Sequence, residues 1–347
     1  MTYKRQPKAS LAPATALRGS SLIPHPSSFV WMIVAASIAM SSASAFGQPY
    51  PSRPIRMLIP FAPGGATDII ARMIEPRMSR ALGQQIVVDN RAGAAGNIAV
   101  ELTAQAQPDG YTLLVGNIST NSINPILFAN RMKVNAVRDL AGVTKLVAIP
   151  NFLLGSPKMP ATLKEAIEYA RGQPGQLNYG APLGSYSHLD MLAFTARAGI
   201  RMVHIPTKGA GETLTNLLRN DSNIQISNVA SNIGPVRAGQ IRAYAVTGAK
   251  RIADAPYVPT MAEAGFPGIG SDNWNGIFAP AKTPRPVLAK LHATAVAAMK
   301  ELESEGTLEK RQTPISLSTS PADFDAYVLS ELKRWGQIVR DNNVKID

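Results

Sequence analysis

The 347-residue sequence predicts an α/β protein of two units, each a mostly parallel sheet flanked by helices. Three observations lead there. Short apolar strands alternate with helical periodicity from residue 55 to 117. The alternation restarts after residue 143. Two loops of small residues, "PFAPGGATD" (60–68) and "YGAPLGSYSH" (179–188), each carry a strand into a helix.

The elements follow in order. "IRMLIPF" (55–61) is a short apolar strand. After the first loop, "TDIIARMI" places Ile69, Ile70, Met73 and Ile74 on one helical face, with Thr67 or Asp68 as the expected N-cap. Pro76 is expected to kink this helix or to open a new turn, since a helix interior tolerates proline poorly. "QIVVDN" (85–90) is a strand, "RAGAAGN" (91–97) a second glycine loop, and 98–106 a helix. "PDGYTLLVGN" (108–117) turns into a third strand and ends in "STNSINP".

In the second unit, "VTKLVAIPNFLLGS" (143–156) reads as extended chain. A helix opens on Thr162 and stops near Gly172. The second small-residue loop leads into a helix through "SHLDMLAFTARAG". "MVHIP", "IQISNVA" and "IRAYAVTG" are three further strands, and "WNGIFAP" (274–280) is another. Helices at about 284–303 and 321–340 close the chain, the last opened by Pro321 and Asp323. Two long terminal helices need a sheet face to cover. The expected division is therefore 46–148 and 274–347 for the first lobe and 149–273 for the second. Chain crossings near 146–152 and 270–276 would form a hinge.

A hydrophobic share of 45% is enough for a packed core. The chain has no cysteine, which excludes disulfides, thiol catalysis and cysteine-held metals. Lys plus Arg outnumber Asp plus Glu by 35 to 23, a net charge of +12. The excess is scattered, as in "EKR" (309–311) and "LKRW" (332–335), with no basic stripe interleaved with aromatics. It reads as solvated surface, and nucleic-acid binding is not expected. Residues 1–45 carry Lys4, Arg5, Lys8 and Arg18 and no acid, followed by the apolar run "FVWMIVAASIAM" (29–40) and "SASA". That run is too short for a membrane span and suits a signal peptide cleaved near Ala45, with a signal anchor that stays uncut as the alternative. The mature protein is expected to be soluble and exported.

Gly64 and Gly65 stand bare at the mouth of a helix. A helix N-terminus offers unpaired N–H groups and a partial positive charge, and glycine lets a ligand approach them. Such a loop can hold an anion without Arg or Lys. It can equally be a tight turn in which glycine supplies a positive φ. Other chemistries drop out. The P-loop ending is missing, "RAGAAGN" gives only G-x-x-G, and no H-E-x-x-H occurs. His188, His204 and His292 are spread too far to suggest a metal site. Ser185, His188 and Asp190 crowd one helix start, where triad geometry does not fit. No catalytic residue, metal or cofactor is assigned. His188 can cap or line the second loop, Lys208 can meet an anion, and Trp274 reads as core or hinge packing.

"YPSRPIRMLIPFAPGGATDIIAR", "GQQIVVDNRAGAAGNIA", "PDGYTLLVGN", "LNYGAPLGSYSHL", "MVHIPTKG", "AVTGAKR", "PTMAEAGFPG" and "APAKTPRPV" resemble, in this order, the Bug/TctC family. These are extracytoplasmic solute receptors of tripartite tricarboxylate transporters, and the resemblance runs from about residue 50 to the end. It implies the periplasm as location and a two-lobed periplasmic binding protein, type II-like, with the ligand cleft between lobes. It implies a small carboxylate ligand, with the membrane subunits of a transporter as partners of a monomeric receptor. A ligand-sensing co-receptor for a sensor kinase is the alternative. The matching pocket positions are Phe61, Pro63, Gly64, Gly65, Ala66 and Asp68 in the first loop. Gly184, Ser185, Tyr186, Ser187 and His188 match in the second, with Asn117, Ser119, Thr120 and Asn228 beside them; Lys208 joins these candidates as the cation that can meet an anion. The chain departs from the family's habit at Thr207, commonly Tyr, at Ser227, often Asp, and at Pro76. The first two favour a carboxylate without an amine: a di- or tricarboxylate or an aromatic acid.

Overall fold

The computed structural model describes residues 50–344; the signal peptide read in residues 1–45, with its cleavage near Ala45, lies outside them. Strands β1 (Ile55–Ile59), β2 (Ile86–Asn90), β3 (Thr112–Asn117) and β4 (Leu140–Ile149) come first. Then follow β5 (Asn151–Gly155), β6 (Asn178–Ala181), β7 (Val203–Pro206), β8 (Ile224–Asn228), β9 (Arg242–Val246) and β10 (Asn273–Pro280). They build two five-stranded sheets, in the orders β2-β1-β3-β10-β4 and β7-β6-β8-β5-β9.

Each sheet is mixed, where the strand–helix alternation led to a mostly parallel one. β1 runs parallel to β2 and β3, but β10 runs antiparallel to β3 and β4. β6 runs parallel to β7 and β8, but β5 runs antiparallel to β8 and β9. The reason is connectivity. Parallel neighbours need a crossover, usually a helix. β4 instead passes through Pro150 directly into β5 of the other sheet, and β10 brings the chain back. The strand that enters each sheet from the other one therefore lies reversed inside it.

The helices are α1 (Ala66–Leu82), α2 (Asn97–Ala104), α3 (Asn124–Leu127), α4 (Ala136–Asp139), α5 (Leu163–Arg171), α6 (Tyr186–Ala198), α7 (Ala210–Arg219), α8 (Val229–Arg237), α9 (Arg285–Ser304) and α10 (Pro321–Asp341). α5 opens on a capping box between Thr162 and Glu165 and ends at Gly172, as its sequence predicts. α1 starts earlier than predicted. Its N-cap is Gly65, not Thr67 or Asp68, and no side chain caps it. Pro76 neither ends α1 nor opens a new turn. It sits within the helix on an exposed face, where its ring meets solvent rather than a neighbour.

On the first sheet, Ile70, Ile74 and Met78 of α1 and Leu291 and Met299 of α9 share one core with Met57, Ile59 and Val115. The opposite face packs Phe324 and Trp335 of α10 against Trp274 and Phe278 of β10. Trp274 meets Phe324 edge-on, centroids 5.7 Å apart, a contact worth about 0.5–1.5 kcal/mol beyond its burial. The Phe324 ring occupies the place a side chain at Gly276 would take. Every residue of β10 is buried, and it lies inside the first sheet between β3 and β4, where it ties the C-terminal helices to that sheet. The second sheet has a core under α5 and α6, with Phe194 and Tyr179, and another under α7 and α8, with Phe152 and Leu217. No helix among the described residues is long and apolar enough to cross a membrane.

Candidate functional site

The first small-residue loop is held from behind. Gly64 takes a left-handed φ of 87°, and its N–H donates to Asp68 Oδ2 at 2.9 Å. Asn90 Nδ2 donates to Asp68 Oδ1 at 2.9 Å and to the Phe61 carbonyl at 3.0 Å. Arg72 Nε lies 3.0 Å from both Asp68 oxygens. Burial alone would raise the Asp68 carboxyl, but the hydrogen bonds from Arg72, Gly64 and Asn90, with the Arg72 charge, outweigh it and hold it below the usual carboxylate range. Gly65 has no side chain to cap the first turn of α1, so that turn keeps the unpaired N–H groups of any helix start.

The second loop repeats this backbone. Gly184 has φ 71°, and Ser185 has the same φ −75°, ψ 165° as Gly65. The Gly184 N–H donates to His188 Nδ1 at 3.1 Å. Here the cap is filled: Ser185 Oγ accepts from the His188 N–H at 3.4 Å and donates to the Pro182 carbonyl at 2.7 Å. The His188 ring stacks on His204 at 4.0 Å. Burial, and then the His204 charge, depress the His188 pKa to about 4, so the imidazole is neutral at pH 7.

A third stretch supports the first loop from below. Asn117 Oδ1 accepts the N–H groups of Ser119 and Thr120 at 3.0 and 3.1 Å, which shapes the π-helical turn Ser119–Ile123. Thr67 Oγ1 donates to Asn275 Oδ1 at 2.7 Å. Asn117 and Thr120 are buried beneath the loop, and Ser119 is half-buried.

Between the sheets lies a cleft of about 600 Å³. Gly64, Gly65 and Ala66 line it from the first loop, and Ile69, Ile70 and Ile149 give it an apolar wall. The opposite wall is Asn228, Ala230 and Ser231, with Ala210 and Gly211 from the start of α7. Lys310, Arg311 and Thr313 complete it. Of the residues matched from sequence, the cleft thus gathers Gly64, Gly65, Ala66 and Asn228. Asp68 turns away to Arg72. Gly184, Ser187 and His188 are buried in the second loop, and Tyr186 donates to Asn151 Oδ1 at 3.3 Å, where the chain crosses between sheets. Lys208 is exposed outside the cleft lining, and its N–H donates to Glu212.

The whole arrangement can be compared with known proteins. The model of the tripartite tricarboxylate transporter family receptor, TctC, matches residues 70–344. The chain belongs to this receptor family. BugT of Bordetella pertussis is 32% identical over 301 residues, 86% of this chain and 91% of BugT. The Rhodopseudomonas palustris protein Rpa4515, solved with adipate, is 32% identical with a TM-score of 0.77, over 85% of this chain and 99% of that one. MatC of R. palustris, solved with bound malate, is 30% identical with a TM-score of 0.73, over 84% of this chain and all of the other, 100%. This TctC family is one of periplasmic solute-binding receptors, not of enzymes, and its two-lobed α/β fold is the fold seen here.

Against that family pattern, two departures change meaning. Ser227 is buried and its Oγ accepts from Asn232 at 3.0 Å, while the Thr207 hydroxyl pairs with Thr213 at 2.7 Å. Neither lines the cleft, so both bear on packing of the second lobe. The cations that do line it, Lys310 and Arg311, sit in the "EKR" read from sequence as plain surface. Nothing local in that tripeptide signals a site. It is the fold that brings it beside Ile149.

Proposed function

We propose that this receptor captures a small carboxylate in the periplasm and delivers it to the membrane subunits of a tripartite tricarboxylate-type transporter. The observation that carries the reading is the uncapped first turn of α1, presented by Gly64–Ala66 to an apolar-walled cleft. Relatives of the same fold hold malate and adipate. A ligand carboxylate takes the amides of Gly65 and Ala66, and Asn228 faces it from the second lobe. The side-chain oxygen of Asn228 is buried without a partner among the described residues, which suits a ligand hydroxyl or a bridging water. The second loop, Gly184–His188, closes over the ligand as the lobes hinge at Pro150 and at the return into β10. The ligand class is a di- or tricarboxylate or an aromatic acid, the receptor acts as a monomer, and residues 1–45 export it.

A thermal-shift screen of small carboxylates on the mature protein tests this. Ligand at about 100 times its Kd adds about 2.7 kcal/mol, or roughly 5–10 °C in Tm for a chain of this size. If amino acids or sugars shift Tm and no plain carboxylate does, the reading is wrong.

A further inference from the structure

We propose that Lys310 and Arg311 hold a second anionic group of the ligand, so that the cleft selects dianionic carboxylates with an apolar middle. This rests on the carboxylate-receptor reading and adds to it a named second subsite.

The first ground is charge. Among the described residues, Lys310 and Arg311 are the charged ones that line the cleft, and no acid lines it with them. Neither forms an ion pair among the described residues. Glu309, in the same turn, does not line the cleft and forms no ion pair with either cation, and Asp254 beside the turn is engaged elsewhere: Arg237 lies 3.9 Å from it and the Gln312 amide donates to it. Two cations beside a low-dielectric wall leave a positive potential that one carboxylate at the α1 end does not neutralise.

The second ground is placement. The turn Glu309–Arg311 is not a loose loop. Leu308 before it and Thr313 after it are buried. The Thr313 N–H donates to the Leu308 carbonyl at 3.0 Å, and the Gln312 N–H to Glu309 at 2.9 Å. Ile315 then bridges to Val147 of β4, which fixes the turn next to Ile149 where the chain leaves the first sheet. Both cations are therefore carried on a fixed turn at the crossing, and only their side chains need to order on binding.

The third ground is the wall between the two polar ends. Ile69, Ile70 and Ile149 offer no hydrogen-bond partner to the middle of a ligand. An aliphatic or aromatic spacer suits them; a polyhydroxylated one would lose its hydration there without replacement. A volume of about 600 Å³ leaves room for such a spacer and two carboxylates.

The test pairs each diacid with its monoacid twin: succinate with butyrate, adipate with hexanoate, terephthalate with benzoate. Calorimetry on wild type and on the K310Q/R311Q double variant reads the ratio within each pair. For the best-bound pair we expect the diacid to bind wild type about tenfold tighter or more, equivalent to about 1.4 kcal/mol. The double variant should remove that preference and leave the monoacid within about twofold. Both side chains are exposed, so the unliganded Tm should not move, and K310R/R311K should keep the preference. A double variant that binds the diacid as tightly as wild type overturns the proposal alone. Wild type that binds each monoacid as tightly as its diacid twin also overturns it, whereas the absence of a Tm shift from any carboxylate in the screen above overturns the receptor reading and this proposal with it.

Discussion

The two small-residue loops share a backbone and differ in how they are held. In both, a glycine with positive φ donates its N–H to a side chain four residues later. In both, the next residue has φ −75° and ψ 165° and caps a helix. The first loop is anchored by a charged aspartate neutralised by Arg72 on the side away from the cleft. The second is anchored by a neutral imidazole stacked on His204. The first leaves its cap empty and the second fills it with Ser185 Oγ. One loop is thus left open to an anion and the other satisfied internally, although the sequence shows both as strings of small residues.

The largest expected difference is in acid. His188 has a folded pKa of about 4, below the ordinary histidine value near 6.5. Between those values the unfolded chain binds the extra proton, so stability rises with pH there and is lost as pH falls from about 6.5 toward 4. The loss attributable to this ring is up to about 3 kcal/mol. Asp190, buried in the same helix with its pKa pushed up by burial to about 6, acts in the opposite sense: the folded state takes its proton first. The clean measurement is therefore a difference. Urea unfolding of wild type and His188→Asn should diverge as pH falls through this window, with the variant holding its stability better. Parallel profiles would mean that the ring is not buried neutral.

The first loop should respond differently. Asp68 has a depressed pKa, so its contribution is complete above the ordinary carboxylate range and is lost only as pH falls through the lower folded value. Asp68→Asn should cost about 1.5–2 kcal/mol at neutral pH, because the charged hydrogen bonds from Arg72 and Gly64 weaken. Affinity for the tightest carboxylate should stay within about threefold, since the group faces Arg72 and not the cleft. A complete loss of binding in a folded variant would place Asp68 against the ligand. At Gly65 the order reverses. A Cβ there meets only the Ala62 carbonyl, at 3.8 Å, so Gly65→Val folds. A side chain at the mouth of α1 should still weaken carboxylate binding about tenfold, or 1.4 kcal/mol, by calorimetry. Unchanged affinity would make the loop a turn and nothing more.

How far the sequence foretells this depends on whether a feature is set locally. The strands, the Thr162 capping box and the helix after "GSYSH" are local patterns, and they stand where the residues put them. The start of α1 is misread because capping rules look for a side chain, and Gly65 has none. α7 and α8 escape notice because they begin at Gly209 and Asn228 without a side-chain cap, and α8 contains Pro235. The reversed strands in each sheet follow from pairing across more than a hundred residues, as between β3 and β10, which no window of periodicity sees. The site divides the same way. Gly64 and Gly65 are visible as an unusual bare stretch, whereas Lys310 and Arg311 gain their position only from the fold.

The smallest effect is the sharpest test of the comparison, because it exchanges the one atom group by which the caps differ. Gly65 and Ser185 have the same backbone angles. Gly65→Ser should let a hydroxyl accept an N–H of the first turn, as Ser185 accepts that of His188. Ser185→Gly should remove that cap from the second loop, together with its bond to the Pro182 carbonyl. Exchanging serine and glycine at an N-cap changes stability by only a few tenths of a kcal/mol. The expected outcome is a small gain for Gly65→Ser and a small loss for Ser185→Gly, so that the double exchange unfolds at nearly the wild-type urea midpoint. Binding should not cancel in the same way. The new hydroxyl in the first loop competes with a ligand carboxylate for the same amide, and opening the second cap does not restore it. The double exchange should therefore combine near wild-type stability with carboxylate affinity lowered about threefold or more. If affinity also returns to the wild-type value, the two loops are interchangeable anion sites, and the empty cap of the first has no special role.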